Sequence, residues 1–276
     1  MKRLAAWLAL FVFIAYAAVS LFYVPRLALF GERSPITLSP AVVGLAYADI
    51  TLSPQGEDLQ LAAWWMPAEQ ATATLVFSHG GGSNRHSMYF QALEFYRAMV
   101  TQGVSVLALD LRNHGDSGSD GQGLQFGRSE SADVIAALAW AREKHPELPL
   151  FAMGISMGGA TVIHAASRGA AIDGLILLDP LLDTHSGLAG GAWAESGLPP
   201  AIFAGAAWAS TTFYGLPHGD SEALSLAQNL DLPMLLIQDP DDPVTTADHA
   251  HVLAQSNDKV SLLLMPPVDT SHPDLA

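Results

Sequence analysis

The sequence predicts an α/β fold: a mostly parallel central sheet with helices on both faces. Four near-continuous apolar runs, residues 74–77, 104–109, 150–153 and 174–178, recur along the chain. The first three are each followed by Gly-bearing polar residues and then a helical-looking stretch. Apolar strands alternating with helices specify a parallel sheet buried on both sides, because each crossover helix covers one face. The chain's 276 residues, 50% of them hydrophobic, suffice for one domain with a large core.

The elements follow in order. Lys2-Arg3 precede an uncharged run over residues 4–24, closed by Pro25-Arg26. That length is close to the roughly 20 residues a helix needs to cross a bilayer. Trp7, Phe22 and Tyr23 lie near its ends, where aromatic residues anchor at interfaces. Residues 1–26 are therefore read as a transmembrane anchor, with Lys2-Arg3 cytoplasmic and the rest of the chain on the other side. Ala15-Tyr16-Ala17 also fits the cleavage site of a signal peptide, which leaves the domain secreted or periplasmic. A buried core helix is the third alternative. Residues 27–43, with Gly31, Pro35 and Pro40, read as a linker, and a folded domain spans 44–276.

Residues 46–52 and 59–65 look like an opening antiparallel pair across the turn Ser53-Pro54-Gln55-Gly56. After the four main runs, a fifth (234–237) precedes an acidic turn and a sixth (260–265) precedes the C-terminus. Residues 184–231 break the rhythm with glycines, prolines and the aromatics Trp193, Phe203, Trp208, Phe213 and Tyr214. Connections this long in α/β domains are usually functional, so the segment is expected to cap the site.

Charge and composition exclude several functions. A net charge of −15 lacks the basic footprint that nucleic acid requires. With no cysteine, a thiol nucleophile, disulfides and thiolate metal sites are excluded. No histidine pair has the spacing that puts two ligands on one helical face, and no metal or cofactor is expected.

In open α/β sheets function gathers at the carboxyl ends of the strands. There, after the run 150–153, stands Gly154-Ile155-Ser156-Met157-Gly158, a G-x-S-x-G sequence leading into an Ala-rich helical stretch. A sharp strand-to-helix turn exposes the Ser156 hydroxyl and aims the first helical N–H groups at one point. The hydroxyl is a weak nucleophile and needs a base, which in turn needs an orienting acid. The expected order is serine, acid, histidine. Asp242, in Asp239-Pro240-Asp241-Asp242-Pro243-Val244, is the chosen acid, with Asp239, Asp241 and the earlier Asp179 as alternatives. His272, after the last run, is the chosen base. The backbone N–H groups of Gly81, in Ser78-His79-Gly80-Gly81-Gly82, and of Met157 are the expected oxyanion donors. Gly82 either contributes or only bends the loop, and His79 is read as a loop organiser.

Four elements in order resemble the α/β-hydrolase superfamily over residues 44–276: His79-Gly80-Gly81, the turn Asp110-Leu111-Arg112-Asn113-His114-Gly115-Asp116-Ser117, Gly154–Gly159, and Asp242 with His272. With the apolar N-terminus, the chain looks like membrane-anchored ABHD-type hydrolases, a group including esterases, lipases, thioesterases and some peptidases. The resemblance gives the Asp110–Ser117 turn a structural role. The elbow lacks the Gly-Asp-Ser-Ala-Gly form of hormone-sensitive-lipase-type esterases, so the chain is not placed in that branch. Relatives usually continue into a helix beyond the histidine. Here Ala276 ends the sequence, so the loop is expected to be held another way or the sequence to be truncated. The expected activity is cleavage of carboxylic esters of small molecules or lipids. A peptidase or amidase, a thioesterase, and a non-catalytic binding module remain alternatives.

Overall fold

The computed structural model describes residues 2–31, 33–87 and 90–266. Among these the chain runs α1 (Lys2–Ala18), a π-helical turn (Val19–Tyr23), α2 (Val24–Leu29), β1 (Ala48–Leu52), β2 (Leu61–Met66) and β3 (Ala73–Ser78). It continues through α3 (Ala92–Thr101), β4 (Val104–Leu109), α4 (Ser131–Lys144), β5 (Leu150–Ile155), α5 (Met157–Ser167) and β6 (Gly174–Leu178). A helical excursion follows, α6 (Thr184–Ser196), α7 (Ala204–Phe213) and α8 (Ala223–Gln228), and then β7 (Met234–Gln238), α9 (Ala247–Ser256) and β8 (Val260–Leu264).

The strands form one sheet in the order β1-β2-β4-β3-β5-β6-β7-β8. β1 and β2 pair antiparallel, as do β2 and β4, and every later pair is parallel. Alternation along β3 divides the core. Val76 faces the cluster under α4, α5, α8 and α9, while Leu75 and Phe77 face the cluster that includes Tyr96 of α3. All of these side chains are buried, which is why β3 and β4 read as unbroken apolar runs rather than alternating ones.

The order also places the site. From β3 the chain goes out to β4 on one side and returns to β5 on the other. The carboxyl ends of β3 and β5 are therefore the switch point, where a crevice opens in such sheets. Ser78 at the end of β3 pairs with Gly154 in β5, so the two glycine-rich loops leave the sheet side by side.

Helix Lys2–Arg26 is long and apolar enough to cross a membrane. Its face is exposed from Leu4 to Phe13, and contact with the domain begins at Tyr16. Residues 33–47 lie against the domain, with Ile36, Val43 and Leu45 packed on the core.

Candidate active site

Ser156 occupies the turn between β5 and α5 at φ 50°, ψ −118°. A non-glycine residue held at positive φ costs about 1–3 kcal/mol and persists only where its surroundings over-determine it. Here they do. The Ser156 N–H donates to the Leu178 carbonyl at 3.1 Å, and its own carbonyl accepts from Gly159 and Leu181, each at 2.9 Å. The flanking glycines are required by contact. A Cβ on Gly154 would lie 2.2 Å from the Gly158 carbonyl oxygen, and one on Gly158 would lie 2.2 Å from that of Ser78. The close approach lets α5 start against the end of β3.

The loop after β3 runs past this turn. A Cβ on Gly80 would sit 3.4 Å from the Ser156 Cβ, and one on Gly81 would sit 3.5 Å from the Met157 sulfur. Gly81, Met157 and Ser156 line one cavity of about 810 Å³. Gly82 has φ 70° and its N–H donates to His114 Nε2 at 3.1 Å. That donor is spent inside the loop, so Gly82 bends the chain.

Two buried histidines hold the loop. His79 Nε2 accepts from the Leu111 N–H at 3.1 Å, and its Nδ1–H donates to the Gly80 carbonyl at 2.8 Å. His114 Nδ1–H donates to the Arg112 carbonyl at 2.8 Å, and the two rings meet edge to face at 4.8 Å. Burial lowers His79 to about 4. His114 falls to about 3 through burial and the neighbouring His79. Both are therefore neutral at neutral pH, which leaves each Nε2 free to accept. Under them, the buried Asp110 carboxylate accepts from the Arg85 N–H at 2.7 Å, the Asp116 N–H at 2.8 Å and the Arg85 guanidinium. The turn from Asp110 to Ser117 is thus a buried ionic support. A Cβ on Gly115 would fall 2.0 Å from an Asp110 oxygen, so only glycine fits there.

Asp242 lies half-buried in the turn after β7. Its Oδ1 accepts the Val244 and Thr245 N–H groups at 2.6 and 2.8 Å, and Val244 lines the Ser156 cavity. Among the described residues nothing donates to its Oδ2. Asp179 ends β6 at φ 43°, buried, and accepts the Asp239 N–H at 2.6 Å. Burial, reinforced by the Asp242 and Asp239 charges, raises Asp179 to about 6. The Asp241 N–H donates to Asp239 at 2.9 Å, closing the turn. His272 lies outside the described residues. The Met265 N–H donates to the Gln238 carbonyl at 2.8 Å, so the chain is beside the acid turn seven residues before that histidine.

The excursion meets this turn directly. A Cβ on Gly190 of α6 would lie 2.4 Å from the Pro243 carbonyl oxygen. α6 begins at the N-cap Asp183, which accepts from the Ser186 N–H at 2.7 Å. Buried Glu222 accepts the Thr184 N–H at 3.0 Å and its hydroxyl at 2.8 Å, and burial raises Glu222 to about 7. Arg85 and Glu222 were not readable as supports from sequence, since their partners lie 25 and 38 residues away.

The sheet order, the switch-point serine turn and the glycine loop beside it define an α/β hydrolase. The same architecture occurs in the Pyrococcus furiosus esterase Pf2001, with a TM-score of 0.71 at 21% identity over 86% of this chain and 88% of that one. It also occurs in the Pyrococcus horikoshii acylaminoacyl peptidase, with a TM-score of 0.59 at 15% identity over 81% of this chain and 37% of that one. Residues 69–218 match the hydrolase family described as serine aminopeptidase, S33, and the chain belongs to that family. Human monoglyceride lipase is 30% identical over 120 residues, which are 43% of this chain and 38% of that enzyme. Mycolicibacterium smegmatis monoacylglycerol lipase is 29% identical over 125 residues, 45% of this chain and 43% of that one. The matched stretches thus span about two fifths of these relatives' lengths.

Proposed function

We propose that the protein is a serine hydrolase of carboxylic esters, with lipid monoesters as the favoured class. The observation that carries this is Ser156 held at positive φ beside the Gly80–Gly81 loop, with both on the wall of one largely apolar cavity. In the proposed reaction Ser156 Oγ attacks the acyl carbon as its proton passes to His272, which Asp242 orients. The Gly81 and Met157 N–H groups stabilise the oxyanion. The ester C–O bond breaks, the alcohol leaves with the proton, and water then releases the acid and restores the serine. The monoglyceride and monoacylglycerol lipases among the relatives support a lipid monoester as the substrate class. The excursion 184–231 acts as the cap over this site, and the N-terminal helix anchors the enzyme with its catalytic domain on the non-cytoplasmic side.

A fluorophosphonate probe tests the nucleophile. The wild-type protein is expected to label once and lose all turnover, while Ser156→Ala is expected neither to label nor to turn over, with kcat down at least about 10³-fold. Equal labelling of Ser156→Ala rejects the assignment. Parallel assays on p-nitrophenyl esters, aminoacyl amides and acyl-CoA separate an esterase from a peptidase or thioesterase.

A further inference from the structure

The N-terminal helix does not stop at the surface of the domain. After the π-helical turn, Val24, Pro25, Ala28, Leu29 and Phe30 lie on the wall of the cavity that holds Ser156. Leu29 is buried, and its carbonyl accepts the Leu124 N–H at 2.9 Å. A Cβ on Gly123 would lie 2.6 Å from that carbonyl oxygen, so the glycine is what lets the helix end come so close.

The helix is also tied to α7 at two levels. Tyr16 Oη donates to the Ile202 carbonyl at 3.0 Å, just before α7. Tyr214 Oη, just after α7, donates to the Leu21 carbonyl at 3.3 Å. The second bond has a specific cause. Pro25 has no N–H for the carbonyl four residues back, which is that of Leu21, and its ring crowds that position. The chain widens there into the π turn, where the Val24 N–H reaches the Val19 carbonyl. Tyr214 satisfies the carbonyl that proline left over. Between these ties α7 approaches closely, because a Cβ on Gly205 would already stand 3.1 Å from Tyr16 Oη and 3.4 Å from the Ser20 Cβ.

The facing wall, Phe203 just before α7 and Ala206, Ala207 and Ser210 on it, is mostly apolar and small, the Ser210 hydroxyl donating to the Ala206 carbonyl at 2.8 Å. α2 and α7, which contact each other, therefore give mostly apolar sides to a slot of the same cavity that Ser156 lines. Given the serine hydrolase reading above, on which this rests, we infer that α2 and Phe30 form, with α7, the subsite that binds the acyl chain of the substrate. The helix that would anchor the protein is thereby a specificity-determining part of the enzyme.

The test uses the full-length protein reconstituted in phosphatidylcholine vesicles, with p-nitrophenyl esters from acetate to dodecanoate. Ala28→Phe fills the slot from the α2 side. The ratio of its kcat/KM for dodecanoate to that for acetate is expected to fall at least tenfold, with fluorophosphonate labelling retained. Phe30→Ala, at a half-exposed position that folding tolerates, is expected to move the optimum to longer chains. An unchanged chain-length profile in both variants, or equal losses on acetate and dodecanoate, overturns the subsite. A wild-type protein that neither labels nor cleaves acetate fails the serine hydrolase reading instead, so the two failures are distinct.

Discussion

A Cβ added to Gly158, under the serine turn, would lie 2.2 Å from a backbone oxygen, whereas one added to Gly191 on the helical side of the cavity would meet nothing within 4 Å. The same contrast runs through both regions. The sheet side is set by buried ionic and hydrogen-bonded groups, Asp110 with Arg85, which also reaches the exposed Asp116, and His79 with His114. The helical side is made of alanine, glycine and aromatic residues, several of them exposed, with Trp208 and Phe213 in edge-to-face contact 5.4 Å apart. The Ser156 turn is thus held by backbone that leaves no room for even a methyl group, while the helical wall facing it across the cavity is open enough to vary. On the proposed reading, chemistry and selectivity would fall to parts with different mechanical tolerance.

The sharpest way to break the contrast is to remove the ionic support. Asp110→Ala removes the buried partner of the Arg85 guanidinium, leaving it only the exposed Asp116, and is expected to cost about 3 kcal/mol. The urea midpoint measures this, and a change below about 1 kcal/mol would mean that the support is not structural. Next comes the glycine pair. Gly158→Ala forces backbone apart and is expected to cost about 3 kcal/mol. Gly191→Ala, inside α6 with open space around it, is expected to stabilise by up to about 1 kcal/mol. Thermal unfolding of the two variants should therefore move in opposite directions.

The smallest effect concerns pH, and the two regions carry opposite signs. Buried His79 has its affinity for protons lowered, so its contribution is complete above 6.5 and is lost as pH falls toward about 4. Glu222, which holds the start of α6, is raised from 4.5 to about 7. Its contribution is complete below 4.5 and is lost as pH rises through about 7. Hydrogen exchange at the Thr184 amide, which donates to Glu222, is expected to quicken above neutral pH beyond the intrinsic rate. In Glu222→Gln that extra acceleration should vanish.

Much of the sheet side was legible in the sequence because its signals are local. Uninterrupted apolar runs mark strands buried on both faces, and the glycines around Ser156 mark a turn where no Cβ fits. The role of Gly82 was left open by sequence, since only geometry shows its N–H spent on His114. The docking of the N-terminal helix against α7 was illegible for a different reason. Its contacts join residues 186 and 193 positions apart, and no period or motif encodes such a meeting. One cue was present. A proline late in an apolar helix leaves a carbonyl four residues earlier in need of a donor, and Tyr214 supplies it.

That long separation has a consequence for the order in which the molecule is made. Tyr16 leaves the ribosome 186 residues before its acceptor at Ile202. At roughly 5–20 residues per second, on the order of 10 to 40 s pass before the helix meets its partner. Throughout that time the part that later meets α7, from Tyr16 to Leu21, needs another nonaqueous environment. Insertion into a bilayer during synthesis would provide one. The domain would then close onto a helix already in place, so the α2 side of its cavity would gain its facing wall only once α7 is made.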